Sequence, residues 1–213
     1  MIRMLAGRKG VGKRVGKRKP PVGPGVAGSR EEICYGVGES SLGVIVVALS
    51  EKGVVSLLFG EDEDPLAEEL ERRFPKARLV REDRDCEELL ARVAAYLENP
   101  VGCLDLPLDL RGTRFQQAVW RAVRKIPAGR TATYADVARR IGAPKAMRAV
   151  GSACANNPLS IVVPCHRVLR SDGTFGPRDS MGADRLRTLL SREGAGEPRK
   201  AAAFSARRKK PGA

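Results

Sequence analysis

The chain has 213 residues, 42% of them hydrophobic, and a formal net charge of +14, which suits one large or two small globular domains. No window approaches the ~18 consecutive apolar residues of a membrane span, and no apolar secretory core follows the basic N-terminus. Membrane and secreted classes are therefore set aside, and an intracellular, cytoplasmic protein (nuclear in a eukaryote) is expected.

The five cysteines, Cys34, Cys86, Cys103, Cys154 and Cys165, are widely spaced, and the single histidine leaves no Cys/His zinc pattern, so no metal site is expected. An odd count without a secretion signal favours reduced thiols. A disulfide among Cys34, Cys86 and Cys103 stays open for a hyperthermophilic source.

Charge is distributed unevenly. Residues 1–30 carry nine Lys/Arg and no acid, and residues 196–213 carry six Lys/Arg and one Glu. Between these tails, residues 31–105 hold eight basic and eighteen acidic groups, whereas residues 106–195 hold sixteen basic and six acidic groups. A basic lobe flanked by cationic tails attracts a polyanion, of which nucleic acid is the common one. A solvated surface with solubility tails is the plain alternative.

In chain order, residues 1–30 are rich in Gly, Lys, Arg and Pro and are expected to be a disordered basic tail. Order begins near Ile33. The β-branched runs LGVIVVALS (42–50) and GVVSLLFG (53–60), split by Glu51-Lys52-Gly53, predict a hairpin. DPLAEELERRF (64–74) predicts a helix with Asp64 as N-cap and Pro65 at the first helical position. DCEELLARVAAYLEN (85–99) predicts a second amphipathic helix stopped by Pro100. Residues 31–105 thus read as a small α/β domain with no catalytic constellation.

Residues 106–195 read as a second, helical domain. An extended connector (102–112) leads to a helix over 113–126 with Phe115, Val119, Ala122 and Val123 on one face. TYADVARRIG (133–142) has Thr133 and Asp136 in capping-box register and Gly142 as a C-terminal stop. A helix over 143–157, with Pro144 in its first turn, follows after about three residues, the pattern of a helix-turn-helix. This second helix is built of small residues, including Ala146, Ala149 and Gly151, with Arg148 among them. Either it packs tightly in a core or it lies against a nucleic-acid groove. Ile161-Val162-Val163 reads as a buried strand closed by Pro164, and Cys165-His166 follow it. A free thiol, with a pKa of about 8.5, is a poor nucleophile until ionised, and a neighbouring imidazole can take its proton. Residues 196–213 again read as a disordered basic tail.

IVVPCHRV (161–168), together with FQQAVWRAVRKIPAGRTATYADVARRIGAPKAMRAVGSACANNP upstream, resembles the O6-alkylguanine-DNA alkyltransferases, the methylated-DNA–protein-cysteine methyltransferases. The resemblance covers about residues 108–195. It implies an α+β protein: an RNase H-like N-terminal domain, then a winged helix-turn-helix. It implies minor-groove binding of duplex DNA through Ala146, Ala149 and Gly151, and rotation of O6-alkylguanine (or O4-alkylthymine) out of the stack. Arg148 would fill the vacated space, and Tyr134 would promote flipping and protonate guanine N3. Asn157 would brace the turn, and Cys165 would take the alkyl group permanently. His166 would be its water-mediated base and Glu193 would orient His166. The carbonyls of Cys165 and Val168 would read the guanine amino group, with Ser180 near O6. The resemblance implies a monomer that needs no cofactor.

One departure stands out. Where the family shows G-x-x-x-G-Y-x-x-G, this chain has TFGPRDSMGADRLRTLL, without the tyrosine. Ser160, small and four residues before Pro164, suggests room for larger adducts. Two other readings compete: a non-catalytic binder of damaged DNA, disfavoured by the presence of Cys165, and a winged-helix transcription factor with an unrelated redox cysteine.

Overall fold

A computed structural model describes residues 30–101, 104–176 and 181–195. The tails expected to be disordered (apart from Arg30), together with Cys103 and Ser180, lie outside the described residues.

The acidic half is built on a four-stranded sheet. Strands β1 (Glu32–Ser40), β2 (Gly43–Ser50) and β3 (Gly53–Gly60) form an antiparallel meander, and β4 (Arg78–Arg81) adds parallel to β1, giving the order β3-β2-β1-β4. The hairpin expected over 42–60 is β2–β3. Its side chains alternate in the two-residue period of a strand. Val44, Val46 and Ala48 face helix α1 (Glu63–Arg73), where Leu66 and Leu70 cover them. Ile45 and Val47 face the opposite way, into a core shared with helix α2 (Asp83–Glu98) through Leu90, Val93 and Leu97. Burial on both faces explains the nearly continuous apolar run of β2. β1 and β4 went unread as strands, because β1 is interrupted by two glycines and β4 has four residues.

Helix α1 begins one residue before the expected cap: Asp62 is the N-cap, and Pro65 occupies the third helical position. The first N–H groups of a helix have no internal acceptor, so proline is tolerated within that first turn.

The basic half comprises α3 (Arg114–Val123), β5 (Ala132–Thr133), α4 (Tyr134–Arg140), α5 (Met147–Ala155), β6 (Val168–Leu169) and α6 (Ala183–Arg192). β5 and β6 pair in parallel. Thr113 caps α3 in a box with Gln116, and Thr133 caps α4 in the expected box with Asp136. Trp120 of α3 donates its indole N–H to Ala153 O of α5 at 2.9 Å. This buried contact fixes α5, whose small residues could not anchor it by area alone.

The α4–α5 connection is longer than expected. At Gly142 (φ +76°), the 142 N–H bonds to Arg139 O and the Ala143 N–H to Ala138 O, a glycine-dependent helix stop. Pro144 then disfavours helical geometry at Ala143. Helix α5 therefore starts at Met147 rather than 143, with Pro144 in the connecting turn and Ala146 as the N-cap.

The two halves share one core. Ile45, Leu57 and Leu97 belong to the same buried cluster as Val119, Trp120 and Leu159. The connector runs along β3, where Val54 N–H donates to Pro107 O at 2.8 Å and Asp109 N–H to Val54 O at 2.9 Å. Among the described residues, no helix is long and apolar enough to cross a membrane.

Candidate active site

Ile161, Val162 and Val163 are buried, but they form no strand, which corrects the sequence expectation. They lie in two successive three-residue turns. Val162 N–H donates to Ser160 O at 2.8 Å around Ile161, whose φ is +70°. Cys165 N–H donates to Val163 O at 2.7 Å around Pro164, whose φ and ψ are −77° and 66°. The first of these is the rare, strained γ-turn, and a β-branched residue at positive φ costs about 1–3 kcal/mol. Such a conformation persists only where its surroundings over-determine it. Here strand β3 does so from the acidic half: Leu57 N–H donates to Pro158 O at 2.7 Å, and Ser160 N–H donates to Leu57 O at 3.1 Å. The apolar pattern was read correctly as buried but wrongly as extended, because alternation cannot register a reversal over three residues.

Asn157 staples this loop from within. Its Oδ1 accepts from Leu159 N–H at 3.0 Å, and its Nδ2 donates to Val163 O at 2.9 Å. Nδ2 also lies 3.4 Å from Leu159 O and 3.5 Å from Cys165 Sγ. An N–H directed at sulfur favours the thiolate over the thiol. Cys165 opens a short 3₁₀ turn, Cys165–Arg167, and is half-buried.

Behind Cys165 stands a buried ionic cluster. His166 Nε2 is 2.8 Å from Glu193 Oε1, and both side chains are at most 1% exposed. A carboxylate can only accept, so Nε2 carries a proton, and in the neutral ring Nδ1 is the basic nitrogen. Arg167 grips the same carboxylate with two donors, Nε to Oε2 at 2.9 Å and Nη2 to Oε1 at 2.7 Å. The remainder of its fork donates to Ile126 O at 2.6 Å and to Tyr96 Oη at 3.3 Å. Burial pushes the Glu193 carboxyl up, but hydrogen bonds from His166 and Arg167, with their charges, outweigh it and hold the group below its usual range. Glu193 sits at the C-cap of α6. Gly194 (φ +71°) closes that helix with bonds from 194 N–H to Ser191 O and from Ala195 N–H to Leu190 O.

A cavity of about 10 Å³ touches Cys165, His166, Asn157, Ser160, Cys154 and Met181. That is near the lower limit for one water molecule. Beside it opens a groove of about 580 Å³ lined by Tyr134, Arg148, Gly151, Cys154, Arg170 and Gly176, among others. Arg148, Ala149 and Met147 are exposed on α5, and Ala146 is half-exposed. Tyr134 is wedged between glycines: a Cβ on Gly176 would come within 2.5 Å of its hydroxyl, and one on Gly151 would come within 3.8 Å of its ring. Val168 is buried, and its N–H donates to Cys165 O, leaving that carbonyl one lone pair for a further donor.

Cys165, His166, Asn157 and Glu193 are thus brought together, with Tyr134, Arg148 and Gly151 on the adjoining groove. Arg167 and Tyr96 were not foreseen in the sequence. Arg167 stands in the PCHRV run and could have been questioned as a cation next to the active pair. Tyr96 lies in an ordinary amphipathic helix and carries no local signal. Among the described residues, Cys34, Cys86, Cys154 and Cys165 are all free thiols, which removes a Cys34–Cys86 disulfide. Burial pushes the Cys86 thiol up to about 12, so it is inert beside Cys165.

Comparison with known proteins gives matches across both halves. The family profile "6-O-methylguanine DNA methyltransferase, ribonuclease-like domain" matches residues 33–110, and its "DNA binding domain" matches residues 114–195. The chain is 44% identical over 173 residues to the bifunctional transcriptional activator/DNA repair enzyme Ada of Escherichia coli, covering 81% of this chain and 48% of that protein. It therefore spans about half the length of that relative. It is 39% identical over 148 residues to the inducible methylated-DNA–protein-cysteine methyltransferase of Bacillus subtilis, covering 68% of this chain and 80% of the relative. The solved O6-methylguanine methyltransferase of Mycobacterium tuberculosis superposes with a TM-score of 0.64 at 32% identity, over 80% of this chain and 96% of that one. A second Mycobacterium tuberculosis structure, OGT in complex with DNA, gives 0.61 at 31% identity, over 81% of this chain and 96% of that one.

Proposed function

The chain belongs to the 6-O-methylguanine DNA methyltransferase family, and from that premise we propose that it repairs alkylated duplex DNA by moving the alkyl group of O6-alkylguanine, and of O4-alkylthymine, onto its own Cys165. The observation that carries this reading is the clustering of Asn157, Cys165, His166 and Glu193 beside a groove lined by Tyr134 and Arg148.

The chemistry follows from the geometry. α5 enters the minor groove with Ala146, Ala149 and Gly151, whose small side chains let the helix approach the sugar edges. Arg148 occupies the space left by the rotated base. The damaged purine enters the groove beside Tyr134, and the small cavity at Cys165 widens to receive O6 and its alkyl group. The thiol proton passes to His166 Nδ1, directly or through one water of the size that cavity holds. Glu193 fixes the tautomer that leaves Nδ1 basic, and its charge stabilises the imidazolium that forms. The Asn157 amide favours the thiolate. Cys165 Sγ then attacks the alkyl carbon. The S–C bond forms as the C–O bond breaks, the electron pair departs on the purine, and the Tyr134 hydroxyl supplies the proton at N3. The carbonyls of Cys165 and Val168 read the purine amino group. No cofactor enters this balance. A thioether is not reversed by any group in the site, so each molecule, acting as a monomer in the compartment that holds the DNA, reacts once.

Intact-mass spectrometry after incubation with an O6-methylguanine duplex tests the reading. One methyl group per protein is expected, on the peptide that contains Cys165, and none in Cys165→Ala. Methylation that persists in that variant, or a wild-type protein that gains no mass, would overturn it.

A further inference from the structure

The last turn of α2 belongs to the acidic half, yet Tyr96 reaches the ionic cluster behind Cys165, and the next two residues reach Arg192, the chain neighbour of Glu193. Tyr96 Oη accepts from Arg167 Nη2 at 3.3 Å. Leu97 O accepts from Arg192 Nη1 at 2.7 Å, and the Glu98 carboxylate lies 3.6 Å from Arg192 Nη2. Arg167 and Arg192 flank Glu193: the first holds its carboxylate, and the second is its chain neighbour. α2 has no basic residue in its own last turn. Of its terminal carbonyls, Leu97 O is met by a cation from elsewhere, Arg192, while Arg167 meets the Tyr96 hydroxyl, and both cations come from segments that position the base.

From this placement we infer that the last turn of α2 is a positioning element for His166, with Tyr96 as its principal residue. The inference rests on the alkyl-transfer reading. The Tyr96 hydroxyl and Ile126 O fix opposite arms of the Arg167 guanidinium, so that the plane of the fork meets both oxygens of Glu193. A carboxylate held in that plane keeps the His166 ring oriented and stabilises its protonated form. Without the hydroxyl, Nη2 keeps Glu193 Oε1 as its acceptor, and the fork is held less tightly, by three bonds. His166 then holds the thiol proton less well, and less thiolate forms at neutral pH.

Single-turnover methyl transfer from an O6-methylguanine duplex, timed by intact mass across about pH 6 to about pH 9 for wild-type protein and Tyr96→Phe, tests this. The variant keeps the buried ring and loses one oxygen. Transfer is expected to be about tenfold slower near neutral pH, the scale of one hydrogen bond to a charged group. The rise of rate with pH moves to higher pH, and the deficit narrows toward the alkaline end of the range, where the thiol depends less on His166 to lose its proton. DNA affinity is unchanged. Glu98→Gln, at a side chain 56% exposed and so no threat to folding, displaces the profile less and in the same direction. Equal slowing of Tyr96→Phe at every pH would mark lost packing and overturn the inference, as would an unchanged rate and profile. A wild-type protein that accepts no methyl would instead remove the alkyl-transfer reading on which it stands.

Discussion

The acidic half, residues 31–105, and the basic half, residues 106–195, meet at one site and contribute to it differently. The basic half supplies the groups that would touch DNA or the reacting atoms: Tyr134, Arg148, Asn157, Cys165 and His166, with Glu193 behind them. The acidic half supplies none of these. It supplies the edge of β3, which holds the strained Ile161 turn through Leu57, and the end of α2, which holds Arg167 and Arg192. Reactive side chains are encoded by identity at a few fixed spacings. Their support is encoded by backbone edges and helix ends that many sequences would furnish equally well. The comparison teaches that a half without a single reactive group can still set the geometry of the chemistry.

Glu193→Gln should break this arrangement most severely, because Glu193 holds both His166 and Arg167, the residue that Tyr96 of the acidic half touches. The variant leaves His166 without a carboxylate to stabilise its protonated form, and transfer should fall about a hundredfold or more, the usual range for loss of general-base assistance. It also leaves Arg167, whose side chain is 6% exposed, without a counter-charge. Breaking a buried pair from one side costs about 3–5 kcal/mol of stability, to be read from denaturant unfolding.

The pH dependence has a definite sign. Glu193 is held below its ordinary value of 4.5 in the folded protein, so the unfolded chain binds its proton more readily. The stabilisation is therefore complete above that ordinary value and is lost as pH falls through the lower, folded one. Thermal midpoints measured from about pH 7 down to about pH 3 should drop in wild type, and the drop should be shallower in Glu193→Gln. Equal slopes in the two proteins would mean that the carboxylate is not held as described.

Arg148→Ala should have a smaller effect, confined to the basic half. Arg148 is exposed on α5 beside the groove and holds nothing of the core. Keeping a base outside the stack costs a few kcal/mol, and an arginine that fills the gap offsets part of it. Transfer from duplex DNA should slow by about tenfold or more, while transfer from the O6-methylguanine nucleoside, which needs no flipping, stays at the wild-type rate. Equal loss on both substrates would place Arg148 in the chemistry rather than in the extrusion.

The two halves also differed in how much of them could be read beforehand. The hairpin, the capping box at Thr133 and the stop at Gly142 were legible, because each depends on residues within about five positions. So was the adjacent pair Cys165 and His166, whereas the role of Asn157 came from family resemblance. Glu193 was placed only through family resemblance, since 26 residues separate it from Arg167 in sequence while 2.9 Å does in space. The Ile161 turn was misread because a reversal over three residues leaves no mark in the apolar pattern, and its support, like the partner of Tyr96, lies in the other half. The start of α5 was misplaced because Pro144 fits both the first turn of a helix and the loop before it.

The last prediction separates a local cost from a functional one with two matched glycines. Gly142 ends α4 and Gly194 ends α6, at φ +76° and +71°. Each donates its N–H three residues back, and the next residue's N–H reaches five back, to Ala138 O and Leu190 O respectively. A Cβ added at either position meets nothing within 4 Å. Alanine at either site therefore introduces no clash, only the cost of a left-handed conformation, about 1 kcal/mol. Both variants should lose a similar few degrees of thermal midpoint. Their activities should part. Gly142→Ala strains a turn between α4 and α5 that Trp120 and the Thr133 cap hold in place by other means, and methyl transfer should remain at the wild-type rate. Gly194→Ala strains the residue that follows Glu193, so the carboxylate shifts against Arg167 and His166, and transfer should slow by about two- to fivefold. If the two glycines proved equal in rate as well as in stability, the end of α6 would be a helix stop and nothing more.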